Sequence, residues 1–210
     1  MQVNLKASAI LVLVTLMITS TCQAESEDAD YFVFEPGTKW IYEMRFWQEG
    51  RFTMEMEGEH VQWIDGTDEW NGRQYHRLRS KTTGFETMPD ADVLIRVTDD
   101  SVLSVDTGKS PLEEFLSLPL PATPGRTWSI GEGVEAWHYA LESTEPIEVP
   151  AGRFKDCIAI TSTLESEISE FKISTRQERC VGVGMVSYRT KGTHKHGVSN
   201  TQYTLLKFNP

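Results

Sequence analysis

The stretch Lys39-Trp40-Ile41-Tyr42-Glu43-Met44-Arg45-Phe46 decides the fold. Trp40, Tyr42, Met44 and Phe46 share one face at period two, while Lys39, Glu43 and Arg45 share the other, the signature of a half-buried strand. Past Gln48-Glu49-Gly50 the alternation resumes, with Phe52, Met54 and Met56 set against Thr53, Glu55 and Glu57. The two runs predict a long hairpin. On this reading Met54 and Met56 continue the Phe52 face and fill the core.

Working outward, the same period recurs and no run of any length carries a helical stripe. Asn71-Gly72 is a strong two-residue turn signal, because both central positions of a type I′ turn need positive φ. It joins a strand ending near Trp70 to one through Tyr75, Arg77 and Arg79. Asp92–Val97 and Val102–Asp106 flank Asp99-Asp100-Ser101 as another hairpin. Strands follow at Thr127–Ile130, Ala136–Ser143 and Pro146–Val149, and Val149-Pro150-Ala151-Gly152-Arg153 reads as a three-residue hairpin loop. Cys157–Leu164 and Ser169–Cys180 form the next pair. Met185–Arg189 and Asn200–Phe208 finish the chain, for ten to twelve strands joined by short connections.

The middle departs from this pattern. Ser110-Pro111-Leu112-Glu113 places a capping serine, a proline and a glutamate where a helix begins, and predicts one or two helical turns with Leu112, Phe115 and Leu116 inward. Pro119, Pro121 and Pro124 then lack the N–H that a ladder needs. Leu116, Leu118 and Leu120 are too apolar for a solvated linker, so the segment is a packed crossover within one domain.

Residues 1–24 follow the order of a secretory signal peptide: a charge at Lys6, an apolar run from Ala7 to Ile18, and a small polar stretch to Ala24. The apolar run is shorter than the roughly 20 residues needed to span a bilayer. Cleavage after Ala24 leaves residues 25–210 as one β domain. The alternative is a lipoprotein acylated at Cys22, but Thr19 and Thr21 stand where a lipobox has an aliphatic and a small residue.

The chain has 210 residues, with 20 basic and 31 acidic side chains and a net charge of −11. That acidity, without a basic stretch, argues against nucleic acid and anionic membrane surfaces as partners. Loss of the signal leaves two cysteines, Cys157 and Cys180, an even count that predicts one disulfide in an oxidising compartment. Closing that loop contributes ~3–4 kcal/mol if unstrained. Neither thiol has a Cys-x-x-Cys partner or a nearby histidine, which speaks against a redox or metal role.

Five pieces occur in order: Gly37-Thr38-Lys39-Trp40-Ile41-Tyr42, Leu118-Pro119-Leu120-Pro121, Gly125-Arg126-Thr127-Trp128, Val149-Pro150-Ala151-Gly152-Arg153-Phe154-Lys155-Asp156-Cys157 and Gly182-Val183-Gly184-Met185-Val186. Together they resemble a family of bacterial exported proteins and lipoproteins, known in part as TapB-like. This chain departs from it with Met185 in place of leucine, Cys180 just before the glycine pair, and a poor lipobox. The resemblance implies an all-β domain of the cell envelope and no catalytic residue. Glycine, proline and aromatic residues describe architecture; chemistry needs polar groups.

Of the 5 histidines, only His194 and His196 have ligand-like spacing. They lie between Gly192 and Gly197, which reads as a solvated hairpin tip. There is no G-x-S-x-G, H-E-x-x-H, P-loop or G-x-G-x-x-G in its proper setting. The useful surplus is apolar: Trp47 and Trp63 fall on the face opposite Trp40 and Tyr42. Two-sided apolar strands mean a second layer, a ligand cavity or a partner surface.

The sequence therefore predicts an all-β domain, a single mainly antiparallel, strongly curved sheet or partly open barrel with one short helical turn, plugged by the Pro111–Pro124 segment. The predicted role is non-enzymatic: an exported periplasmic or extracellular protein that binds an apolar small molecule or an envelope protein. Trp47, Trp63, Phe115 and Leu116 are the candidate ligand contacts, with no cofactor and no metal, and with a membrane tie only through Cys22. The alternatives are a secreted hydrolase with an acidic site and a structural or adhesive surface protein.

Overall fold

The structure, a computed structural model, describes residues 30–85, 90–133, 136–166 and 170–210. The signal segment and Cys22 lie outside the described residues. Fourteen strands run through them: β1 (Lys39–Gly50), β2 (Met54–Trp70), β3 (Arg73–Thr83), β4 (Ala91–Val97), β5 (Ser101–Asp106), β6 (Glu114–Pro119), β7 (Thr127–Ile130), β8 (Trp137–Ser143), β9 (Ile147–Val149), β10 (Gly152–Phe154), β11 (Cys157–Ser166), β12 (Phe171–Cys180), β13 (Gly184–His194) and β14 (Gly197–Asn209).

Twelve of them form one antiparallel sheet, in the order β6-β5-β4-β3-β2-β1-β14-β13-β12-β11-β8-β7. Most neighbours are consecutive hairpins. The first and last strands pair with each other, Lys39 opposite Asn209, which places the two chain termini of the domain at the centre of the sheet. Strands β9 and β10 form a separate two-stranded sheet between β8 and β11.

The sheet curls until its two ends meet. One core cluster joins Ile95 of β4, Val102 of β5 and Leu118 of β6 to Leu141 of β8 and to Ile158 and Ile160 of β11. The result is a nearly closed barrel with one seam, between β6 and β7. The connection across that seam is held by single hydrogen bonds. The Leu120 amide donates to the Asp100 carbonyl (2.7 Å), and the Gly125 amide to that of Leu141 (2.7 Å). The Arg126 guanidinium donates to the Leu120 carbonyl (2.7 Å). Prolines 119, 121 and 124 supply no N–H, which fits a place on and beyond an edge strand.

The alternation in β1 holds: Trp40, Tyr42 and Met44 are buried, each fully buried side chain of this size contributing ~1.5–3 kcal/mol. Trp40 and Tyr42 anchor the second core cluster, which also takes Cys157, Cys180, Val186 and Leu205. The Trp40 indole donates to the Val183 carbonyl (2.6 Å) and the Tyr42 hydroxyl to that of Met185 (2.9 Å). The family-like motifs thus converge. The Trp40, Val149–Phe154 and Val183–Val186 pieces meet in this cluster, and Leu118, Leu120 and Trp128 in the other. Cys157 pairs with Cys180 directly across β11 and β12, and the two form the expected disulfide.

Several local expectations are corrected. The stretch from Ser110 makes no helical turn; it is bend and then strand β6, with Leu112 exposed. Pairing with β5 and a bidentate ion pair from Arg96 to Glu114 (2.6 and 2.9 Å) outweigh the local capping pattern. Residues from two segments enter the interior: Tyr31, Phe32 and Phe34 pack on the first cluster, so the Pro111–Pro124 segment as a whole does not plug it alone. Leu118, Leu120 and Ala122 of that segment are nonetheless core. Met54 is exposed and Met56 half-buried, because this start of β2 has no partner on its β3 side, where pairing begins at Glu59. The hairpin at Val149 has a two-residue loop, with Gly152 already paired to Val149.

Candidate functional site

Inside the barrel lies a cavity of about 380 Å³. Its walls come from both sides of the seam: Phe115 and Leu116 of β6, and Ile130 of β7 with Trp137 and Tyr139 of β8. Leu78, Val93, Ile95 and Ile160 extend the apolar wall. Residues 115–117 all reach it in succession because β6 carries a bulge there: Val102 pairs with Leu118 and Leu103 with Leu116, leaving Ser117 over.

The polar part of the lining is largely self-satisfied. Ser117 Oγ donates to Ser104 Oγ (2.6 Å), and Ser162 Oγ shares a hydrogen bond with Thr175 Oγ1 across β11 and β12 (2.6 Å). Gln177 Nε2 points to Met185 Sδ (3.1 Å). Among the described residues no carboxylate lines the cavity.

Arg179 is the exception. Thr175, Gln177 and Arg179 line the cavity from β12, whereas Arg176 pairs with Glu142 (2.6 Å) and Glu178 (3.0 Å). The Arg179 Nε donates to Gln177 Oε1 (3.0 Å) and its Nη1 to the Tyr31 carbonyl (3.1 Å). Its guanidinium carbon sits 3.8 Å from the centroid of the Phe32 ring. No carboxylate among the described residues pairs with it. Burial lowers its pKa to about 10, which leaves it charged at neutral pH. Tyr42 acts on it electrostatically, but burial raises that phenol well above its ordinary range, so Tyr42 is neutral and no counter-ion.

The four candidate contacts separate. Phe115 and Leu116 line the cavity. Trp63 pairs with Lys39 and Arg79 on the outer face. Trp47 is also on the outside, paired with Glu55 and Asn200, in a groove with Met54 and Gln202. The outer face of β3–β5 carries a small second layer of Tyr75, Leu94 and Val105 covered by Trp70. His194 and Gly197 close a two-residue turn, and among the described residues no group of three potential metal ligands is found.

Arg179 was not among the candidates, for a physical reason. Arg176 and Arg179 differ by an odd number of positions and fall on opposite faces of one strand. Nothing local says which face is inside.

No protein-family profile matches the chain, and no curated protein sequence does. Two solved structures are similar in form. One, from Bacteroides fragilis NCTC 9343, is proposed to be an exported protein with a YmcC-like fold. It aligns with a TM-score of 0.49 and 14% identity over 85% of this chain and 98% of its own. The other, a proposed lipoprotein from Parabacteroides distasonis ATCC 8503, aligns with a TM-score of 0.49 and 15% identity over the same shares.

Proposed function

We propose that this chain is an exported envelope protein that binds an apolar small molecule inside its barrel, by burial and without covalent chemistry. The observation that carries the reading is the cavity of about 380 Å³ beneath the seam, walled by Phe115, Leu116, Ile130 and Ile160. It falls in the size range of small-molecule sites. Each Å² of apolar ligand surface it buries contributes ~25 cal/mol. Export is supported by the signal-like order of residues 1–24, by a disulfide suited to an oxidising compartment, and by ordered motifs that resemble those of TapB-like exported proteins. Release into the periplasm or medium follows from cleavage after Ala24, and anchoring from acylation of Cys22.

Uptake of the neutral fluorophore N-phenyl-1-naphthylamine tests the binding reading. Saturable uptake is expected, with loss of ~10-fold or more in Leu116→Trp and Ile130→Trp, which fill the cavity from opposite edges of the seam. No uptake, or uptake indifferent to both substitutions, overturns it. The denatured mass of protein exported with its own signal is expected to begin at Glu25; a lipidated N-terminal Cys22 overturns the soluble form.

A second reading, contact with an envelope protein, is favoured by one observation. Phe52 is 70% exposed at the β1–β2 tip, beside the outer groove that holds Trp47 and Met54. Trp47→Ala is expected to weaken capture of such a partner while leaving the melting curve unchanged. Equal loss of stability makes Trp47 a packing residue and overturns that reading.

A further inference from the structure

An arginine facing a largely apolar cavity is expensive unless something answers its charge. Arg179 has five N–H donors, of which Gln177 and the Tyr31 carbonyl take one each. The other three meet no acceptor among the described residues. The Phe32 ring covers one face of the guanidinium, which holds its plane in place and helps replace lost hydration. Gln177 is itself braced against Met185. The result is a cation held rigidly at the wall of a cavity to which the described residues bring no anion.

Resting on the binding reading above, we infer that the cavity takes an amphiphile with a single carboxylate, its acid on the Arg179 guanidinium and its chain along Leu78, Ile95, Phe115, Leu116 and Ile160. The planar fork of three free N–H groups matches one carboxylate in bidentate fashion. Among the described residues Arg179 is the only cationic side chain lining the cavity, so a more highly charged headgroup finds no second partner there. The acidic exterior, 31 acidic against 20 basic side chains, also repels multiply charged anions. The volume corresponds to about a dozen heavy atoms at roughly 30 Å³ each, which is a medium-length acyl chain.

Calorimetric titration of the mature, detergent-free protein with decanoate and with decanol tests this at neutral pH. Decanoate is expected to bind ~10-fold or more tightly than decanol, and Arg179→Met to remove that difference by weakening decanoate alone. Equal affinities in the wild-type protein overturn the carboxylate assignment and leave the apolar site standing. Binding of neither probe overturns the binding reading and this inference with it. Should Arg179→Met fail to fold, the bound carboxyl of [1-13C]decanoate in the wild-type protein decides the matter. Ionisation persisting below the ordinary carboxylate range supports an acid held on the guanidinium, and ionisation pushed above it overturns that contact.

Discussion

The guanidinium of Arg179 lies 3.8 Å over the ring of Phe32 and donates to the carbonyl of Tyr31. One side chain of β12 therefore fastens the segment that precedes the first strand into the barrel. Phe32 both lines the cavity and packs on the core that joins the two ends of the sheet.

Phe32→Ala removes that contact and part of the core. Full burial makes such a truncation worth ~3–5 kcal/mol; Phe32 is half-buried, so a loss of about 1–3 kcal/mol in urea denaturation is expected. Phe32→Tyr keeps the ring over the cation and is expected to stay within about 1 kcal/mol of wild type. If Phe32→Ala is equally neutral, residues 31–34 do not belong to the folded barrel.

His60 makes stability depend on pH. It is buried on β2, with Thr82 Oγ1 at 2.8 Å from Nδ1 and the rings of Tyr42 and Tyr203 beside it. Burial lowers its pKa from 6.5 to about 4. The unfolded chain thus takes up a proton that the folded one refuses, and stability falls as pH drops from about 6.5 toward 4. The loss is at most ~3 kcal/mol at 1.36 kcal/mol per unit. Denaturant midpoints across that range, compared with His60→Gln, isolate the contribution; parallel pH profiles in the two proteins reject it.

Much of the fold was legible because period two is a local signal. Trp40, Tyr42 and Met44 needed only their own neighbours to be placed inward, and Asn71-Gly72 only its own φ preferences, met at 50° and 69°. What was not legible depends on distant partners. The pattern at Ser110 imitates a helix cap, and only Arg96, far back in sequence, makes Glu114 part of a strand. Met54 looks like core until β3 is seen to stop pairing with β2 at Glu59. Phe115 and Leu116 stand out in the sequence by their apolar character, but that they line a cavity depends on the closure of both sheet ends. The charge of Arg179 carries no mark of where it points.

Loss of the disulfide is expected to be costly. Cys157 and Cys180 are buried in the second core cluster and lie 23 residues apart. The double replacement by Ala removes the loop constraint, worth ~3 kcal/mol, with little change in packing. Denaturation of that variant against the oxidised wild type measures it. A difference below about 1 kcal/mol means that the loop from 157 to 180 is already ordered in the unfolded chain.

The last prediction concerns the tips of two hairpins. Gly50, at the end of β1, pairs with Gly197, at the start of β14, and Arg51 N donates to the His196 carbonyl (3.0 Å). The two backbones approach closely: a Cβ on Gly197 would collide with the Glu49 carbonyl oxygen, and one on Gly50 with that of His196. Both residues also have positive φ, 146° and 137°, where other side chains are strained. Rigid backbone cannot yield as a flexible side chain would, so Gly197→Ala forces the tips apart. The expected cost is about 1–3 kcal/mol, with faster amide exchange confined to residues 47–51 and 197–200. Because neither glycine lines the cavity and β13 stands between β14 and β12, exchange in β11 and β12 and the affinity for a cavity ligand are expected to stay as in wild type. Faster exchange throughout the sheet instead means that the tip pairing holds the barrel closed.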